Sequence, residues 1–148
     1  MKELNKYSKE ELIEALMLIK EEVTKVSKAS DVFAYLSEYC SKEQEHFLLI
    51  SLDSQNNIIA KDVIFKGTVN TSIVSPREIF LTALKREAVR IIIAHNHPSG
   101  DLTPSSQDDR VTSKIKEAGN ILDIQLLDHI IISKNGYYSY EEEGRLFL

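Results

Sequence analysis

Residues 89–108 read VRIIIAHNHPSGDLTPSSQD. The start of this stretch is apolar apart from Arg90, which is typical of a buried strand, predicted here over 89–94. Residues two apart along a strand point to the same face, so His95 and His97 are expected to project together while Asn96 points away. Two imidazoles on one side of a strand end are a suitable pair of metal ligands.

A third ligand is predicted at Asp108, eleven residues after His97 and in the first turn of a helix predicted over 105–118. The positive N-terminal end of that helix would favour the negative charge of the carboxylate. Catalytic zinc usually takes three protein ligands and leaves its fourth position to water, so the sequence predicts a zinc (Zn²⁺) site. Asp101 and Asp109 are alternative carboxylates for the third position.

The rest of the sequence alternates between helical and strand-like patterns. Ser8 with Glu11 forms a capping box, and Ser75-Pro76 marks a second clear helix start. The predicted helices cover residues 8–27, 31–40, a segment beginning at 76, and 105–118. The predicted strands cover residues 47–52, 58–65, 89–94, one or two segments within 121–133, and 137–140. This interleaving predicts an α/β (α+β) fold, a mixed sheet flanked by helices.

Helical periodicity also predicts which helix residues face the core. For the first helix these are Leu12, Leu16, Ile19, Val23 and Val26. For the helix beginning at residue 76 they are Phe80, Leu81, Leu84 and Ala88. Gly119-Asn120 is predicted to close the helix that carries Asp108, because glycine commonly ends helices.

Composition bounds the class of protein. A chain of 148 residues with 43% hydrophobic and 28% charged residues is expected to form one globular domain. The net charge of −5 gives no general attraction to nucleic acid or anionic lipid. Cys40 is the single cysteine, which excludes an intrachain disulfide and fits a reducing compartment. The absence of a signal peptide and of a bilayer-spanning apolar run predicts a cytoplasmic protein without a membrane partner.

The sequence resembles the JAMM, or MPN-plus, metalloprotease motif, in which His-x-His-Pro is followed by Ser after eight residues and Asp three further on. His95, His97, Pro98, Ser105 and Asp108 match that spacing. The RadC-like bacterial branch is the most similar, through three stretches: Ser75-Pro76-Arg77-Glu78, Ala94 to Asp101, and Leu127-Asp128-His129. The resemblance implies an N-terminal helix over 1–29 and a RadC-like MPN/JAB domain over 30–148, similar in architecture to cytidine deaminases.

The resemblance also implies roles for individual residues. Glu45 matches the glutamate that takes a proton from the attacking water, and it lies close to the apolar strand; Glu43 is the competing position. Ser105 would hydrogen-bond the oxyanion of the tetrahedral intermediate, although Ser105 and Asp108 also have the form of a capping box. His129 is expected to have a structural or supporting role rather than to bind the metal.

The implied function is a zinc metallopeptidase acting on a peptide or protein substrate through a peptide or isopeptide bond. The alternative is a non-catalytic, metal-stabilised module that binds a protein or nucleic-acid partner in DNA repair or mobile elements. RadC-like proteins typically carry a helix-hairpin-helix region, and only about thirty residues precede the shared part here, so any association with DNA is expected to be indirect. A zinc deaminase is excluded because its Pro-Cys-x-x-Cys motif needs two cysteines.

Overall fold

The structure is a computed structural model that describes residues 6–22 and 25–146 and, over 16–22, the backbone alone. The helices in this part of the chain are α1 (Lys9–Glu22), α2 (Ala29–Tyr35), α3 (Pro76–Lys85) and α4 (Ser106–Leu122). The strands are β1 (His46–Leu52), β2 (Ile58–Lys66), β3 (Arg90–Asn96), β4 (Gln125–Ser133) and β5 (Gly136–Ser139). A short 3₁₀ turn, Ser37–Tyr39, follows α2.

The five strands form one sheet in the order β2-β1-β3-β4-β5. All neighbours are antiparallel except β3 and β4, which run parallel and are joined by α4. A parallel pair needs such a crossover because the chain must return to the end of the sheet at which the first strand began. The sequence-based expectation of a mixed sheet flanked by helices is therefore confirmed.

Helices cover both faces of the central strands, which explains why β1 and β3 read as continuous apolar runs. Helices α3 and α4 pack on the face that carries Phe47, Leu49, Ile91 and Ile93. Helix α2 packs on the opposite face, where the alternate residues of the same strands are buried. His95 continues the row of Ile91 and Ile93, so its side chain lies on the α4 side of the sheet.

The first helix begins as predicted but ends earlier. The backbone N–H of Ser8 donates to Glu11 Oε2 and that of Glu11 to Ser8 Oγ, which is the predicted capping box. The expected extent of 8–27 is wrong, because Lys25 pairs with Asn57 and the Val26 N–H donates to Asn56 O beside the β1–β2 turn. The predicted inward positions Leu16, Ile19 and Val23 lie outside the residues whose side chains are described.

The predicted inward face of α3 is partly wrong. Ile79, Phe80 and Ala83 are buried, whereas Leu81 is 39% and Leu84 56% exposed. Leu81 follows Ile79 by two residues, which is about 200° around a helix, so the two cannot share a face.

Helix α4 runs past the glycine expected to end it. The helix ends at Leu122, and Asp123 adopts the left-handed conformation with φ 61°. Gly119 instead permits close packing, because a Cβ atom there would lie 2.4 Å from the carbonyl oxygen of Ile124. The segment predicted as one or two strands over 121–133 is accordingly the single strand β4.

The buried Asp128 carboxylate ties β4 to the chain after β5. Its Oδ1 accepts the N–H groups of His129 at 2.8 Å and Glu141 at 3.0 Å, and its Oδ2 accepts the Ser139 hydroxyl at 2.5 Å. Burial raises the pKa of Asp128 to about 6, and the three hydrogen bonds oppose that rise. Because this pKa lies above the ordinary value, the stabilising contribution of Asp128 is present below about pH 4 and is lost as pH rises through 6.

Asp128→Asn is therefore expected to gain stability over the natural protein as pH rises from 4.5 to 7.5, by about 2 kcal/mol in the free energy of unfolding. The amide can keep both N–H acceptor contacts and donate to Ser139, yet it cannot ionise. Urea unfolding of both proteins between pH 4.5 and 7.5 measures the difference, in which shared titrations cancel. Glu117→Gln, at an exposed position of α4, is the control. Parallel profiles for the natural protein and Asp128→Asn would contradict the prediction.

Among residues 6–22 and 25–146, no helix has both the length and the apolar character needed to cross a membrane.

Candidate metal centre

The two histidines of the predicted pair lie together at the end of β3. His95 is the next-to-last residue of β3, and His97 is the first residue after the strand. Their Nε2 atoms are 2.9 Å apart. Asn96 points to the other side as expected, where its Oδ1 accepts the His46 N–H at 2.6 Å and its Nδ2 donates to Gln44 O at 3.0 Å. The amide thus fastens the end of β3 to the chain that enters β1.

The carboxylate of Asp108 reaches both imidazoles from the start of α4. Its Oδ1 lies 3.2 Å from His95 Nε2 and its Oδ2 3.3 Å from His97 Nε2. The side chain is held by a capping box: the Ser105 N–H donates to Asp108 Oδ2 at 2.9 Å, and the Asp108 N–H donates to Ser105 Oγ at 3.0 Å. The helix start predicted at Ser105 therefore aims the carboxylate at the strand end.

The alternative carboxylates are engaged elsewhere. Asp109 points away from the histidines, with Oδ2 2.7 Å from Arg145 Nη2 and Oδ1 accepting the Tyr140 hydroxyl at 2.8 Å. Asp101 Oδ1 accepts the Thr103 N–H at 2.9 Å. Of the three aspartates considered from the sequence, Asp108 is the one that the fold brings to the imidazoles.

The electrostatics of the cluster keep Asp108 ionised. Burial acts to raise the pKa of Asp108, but hydrogen bonds with His95 and His97 hold it far below its usual range. Burial acts to lower the pKa of His97, yet the Asp108 carboxylate and the Asp101 carbonyl raise it above its ordinary value. A deprotonated carboxylate beside two imidazoles is the state in which such groups bind metal ions.

One atom from each of His95, His97 and Asp108 lies within 4.8 Å of the others, so the three residues could hold a metal ion. Two imidazole nitrogens and one carboxylate oxygen form a donor set that suits a divalent transition metal. The His97 Nδ1 lies 2.6 Å from the Asp101 carbonyl oxygen, which can only accept a hydrogen bond. The ring proton of neutral His97 therefore sits on Nδ1, and Nε2 presents its lone pair to the cluster.

The structure separates the two candidate glutamates. Glu45 immediately precedes β1, and its Oε2 accepts the Val69 N–H at 3.0 Å. It lines a cavity of about 320 Å³ together with His97, Ser105 and Asp108. Glu43 lies in an exposed bend outside the strand, so the shared strand face that made the two positions equivalent in the sequence does not form.

Two further residues stand behind the histidine pair. His129 Nε2 is 2.9 Å from His95 Nδ1, which agrees with the supporting role expected for it. Burial lowers the pKa of His129 well below its ordinary value, and His95 acts in the same direction. Thr112 Oγ1 lies 2.5 Å from His129 Nδ1. Thr112 was not identified from the sequence as part of the site. Its position one helical turn after Asp108 was the available signal.

Known proteins resemble the chain over most of its length. The family model described as the RadC-like JAB domain matches residues 26–145, which include all the residues of the cluster. The UPF0758 protein of Chlorobium chlorochromatii is 41% identical over 137 residues, 92% of this chain and 62% of that protein. A UPF0758 protein of Clostridium perfringens is 50% identical over 123 residues, 82% of this chain and 54% of that protein.

The UPF0758 protein of Thermotoga maritima is 41% identical over 122 residues, 82% of this chain and 55% of that protein. The chain spans about half the length of the curated relatives it matches. The mixed sheet with its flanking helices is that of a JAB/MPN-type fold, and the cluster at the end of β3 falls within the matched region. By its sequence and its architecture, this chain belongs to the RadC-like JAB domain family.

Proposed function

We propose that this chain is a zinc-dependent peptidase or isopeptidase. The observation that carries the proposal is the convergence of His95, His97 and Asp108, with Glu45 and Ser105 on the wall of the same cavity. Three protein ligands with a fourth position open to a cavity are typical of catalytic zinc. Bound zinc supplies Lewis acidity, which polarises a carbonyl group and lowers the pKa of a water molecule.

Glu45 is the proton carrier in this proposal. Its Oε2 accepts the Val69 N–H, and Glu45 lines the cavity together with His97. From there it accepts a proton from the attacking water and delivers it to the leaving amine. The second contact that places it is through the backbone, where Glu45 O accepts the Gly67 N–H at 2.9 Å.

Ser105 is the donor to the developing oxyanion. Its Oγ already accepts the Asp108 N–H at 3.0 Å, and Ser105 lines the cavity, so the hydroxyl hydrogen is available to donate there. The capping function and the catalytic function therefore use different parts of the same hydroxyl group. A fixed donor next to the reacting carbonyl stabilises charge as it develops in the transition state.

The charge of the site supports one class of substrate. Acidic side chains of Glu45, Asp101 and Asp108 line the cavity, and the whole chain carries a net charge of −5. With a divalent zinc ion bound, these three carboxylates leave the site without net positive charge, so it offers little attraction to a phosphodiester, whereas a neutral amide bond meets no electrostatic barrier. This favours a peptide or isopeptide bond over a phosphodiester.

The proposal is tested by incubating the zinc-loaded protein with a quenched fluorescent peptide library and with lysine-linked isopeptides. Products are identified by mass spectrometry, and His95→Ala is the control. Cleavage that depends on both zinc and His95 supports the proposal. Zinc binding without cleavage of any amide substrate would instead favour a non-catalytic, metal-stabilised binding module.

We further expect the chain to bind duplex DNA only weakly and not to cut it at physiological salt. The release of counterions by Lys and Arg contacts dominates non-specific affinity for DNA, and an acidic chain makes few such contacts with phosphates. A salt titration with a fluorescent duplex measures the affinity, and a nicking assay with zinc, magnesium or manganese measures scission. Sub-micromolar binding with a steep salt dependence, or scission lost in His95→Ala, would overturn the amide-hydrolase proposal.

A further inference from the structure

A chain of hydrogen bonds (the relay) runs behind His95, on the side away from the Asp108 carboxylate, and ends at the backbone carbonyl of Asp108. His95 Nδ1 lies 2.9 Å from His129 Nε2, His129 Nδ1 lies 2.5 Å from Thr112 Oγ1, and Thr112 Oγ1 lies 2.7 Å from the carbonyl oxygen of Asp108. His95 and His129 are 0% exposed and Thr112 is 3% exposed. Groups buried this deeply depend on one another for hydrogen bonding.

The donor and acceptor chemistry of these groups gives the relay a direction. A carbonyl oxygen only accepts, so the single hydroxyl hydrogen of Thr112 goes to Asp108 O, and the hydroxyl oxygen accepts from His129 Nδ1–H. A neutral imidazole has one ring N–H, so His129 Nε2 then carries a lone pair and accepts from His95 Nδ1–H. The remaining nitrogen of His95, Nε2, is left with its lone pair facing the cluster.

The opposite direction uses the same heavy-atom positions. Thr112 would donate to His129 Nδ1, His129 Nε2–H would donate to His95 Nδ1, and the His95 proton would sit on Nε2. A protonated Nε2 can donate to Asp108 Oδ1, 3.2 Å away, but it cannot bind a metal ion. Only one of the two directions is compatible with a loaded site.

We propose that Thr112 and His129 are positioning residues that hold His95 in the Nδ1–H tautomer and so present Nε2 to the metal. The inference rests on the metal site of the proposed function and not on the hydrolysis. His97 needs no such side chains, because the Asp101 carbonyl oxygen fixes its tautomer directly. Supporting groups of this kind commonly change metal affinity by about 10- to 100-fold.

The fold explains why these two residues can act together. Thr112 follows Asp108 by four residues on α4, and a helical threonine can donate back to the carbonyl four residues earlier. In the parallel pairing of β3 and β4, Ile93 is the partner of His129, so His129 lies diagonally beside His95 on the same face. One helix and two strands thus fix the orientation of a single imidazole.

The test compares Thr112→Val, which keeps the shape and removes the hydroxyl group, with Thr112→Ser, which restores it. Thr82→Val is the matched control, since the Thr82 hydroxyl makes the same backbone hydrogen bond to Glu78 O in α3, away from the site. Zinc affinity is measured by chelator competition. The proton position on His95 is read from ¹⁵N imidazole shifts of the metal-free and zinc-loaded proteins.

Thr112→Val is expected to lose about 10- to 100-fold in zinc affinity and to show a mixture of His95 tautomers without metal. Thr112→Ser should recover both properties, and Thr82→Val should match the natural protein. Unchanged affinity and tautomer in Thr112→Val, with normal zinc binding by the natural protein, would overturn the relay alone. Should Thr112→Val not fold, a metal-free natural protein with the His95 proton on Nε2 overturns the relay equally. No zinc binding by the natural protein would overturn both proposals.

Discussion

Asp108→Ala is expected to abolish stoichiometric zinc binding, and His95→Ala and His97→Ala should do the same. A site with three protein ligands is left with two, which is too few to hold the ion against a chelator. Zinc content after gel filtration with a chelator measures the result, with one equivalent expected for the natural protein.

Two variants separate ligation from helix capping. Asp108→Asn keeps an oxygen that can accept the Ser105 N–H, so α4 should begin normally while the neutral amide binds zinc poorly. Asp109→Asn removes the carboxylate that forms an ion pair with Arg145 and should keep a full equivalent of zinc. Retention of zinc by Asp108→Asn together with its loss from Asp109→Asn would show that the third ligand is misassigned.

Glu45→Gln is expected to keep its zinc and its thermal stability while losing about 10²- to 10⁴-fold in hydrolysis rate, the range for a general base. The amide oxygen can still accept the Val69 N–H, so the side chain should stay where it is. The rate is measured on a peptide that the natural protein cleaves. Glu43→Gln, two residues upstream and exposed, serves as the control and should be fully active. An active Glu45→Gln beside an inactive Glu43→Gln would move the role to Glu43.

Features that depend on local geometry could be predicted from the sequence. The alternation of side chains along a strand placed His95 and His97 together, and helix-start chemistry placed Asp108 in the first turn of α4. The mixed sheet also followed from the alternation of strand and helix patterns. In each case the relevant residues lie within one element or at its end, where backbone periodicity determines direction.

Features that depend on contacts between distant segments could not be predicted in the same way. Glu45 differs from Glu43 because the backbone at Gly67 and Val69 approaches it, which no local pattern reveals. The partnership of Thr112 with His129 requires the register of β3 on β4 and the packing of α4 over both. The inward face of α3 was misassigned because apolar residues occur on more than one side of that helix.

The unequal depth of the three ligands has a consequence for how quickly a metal ion can be exchanged. The side chains of His95 and Asp108 are 0% and 2% exposed, whereas that of His97 is 14% exposed. An ion held between them would have the protein interior behind it and would face solvent through the cavity that His97 and the loop over 98–104 help to line. Because the surroundings of a site govern solvent access to it, dissociation should be slower than the affinity alone implies. Two chelators of equal strength but different size should therefore strip the ion at different rates.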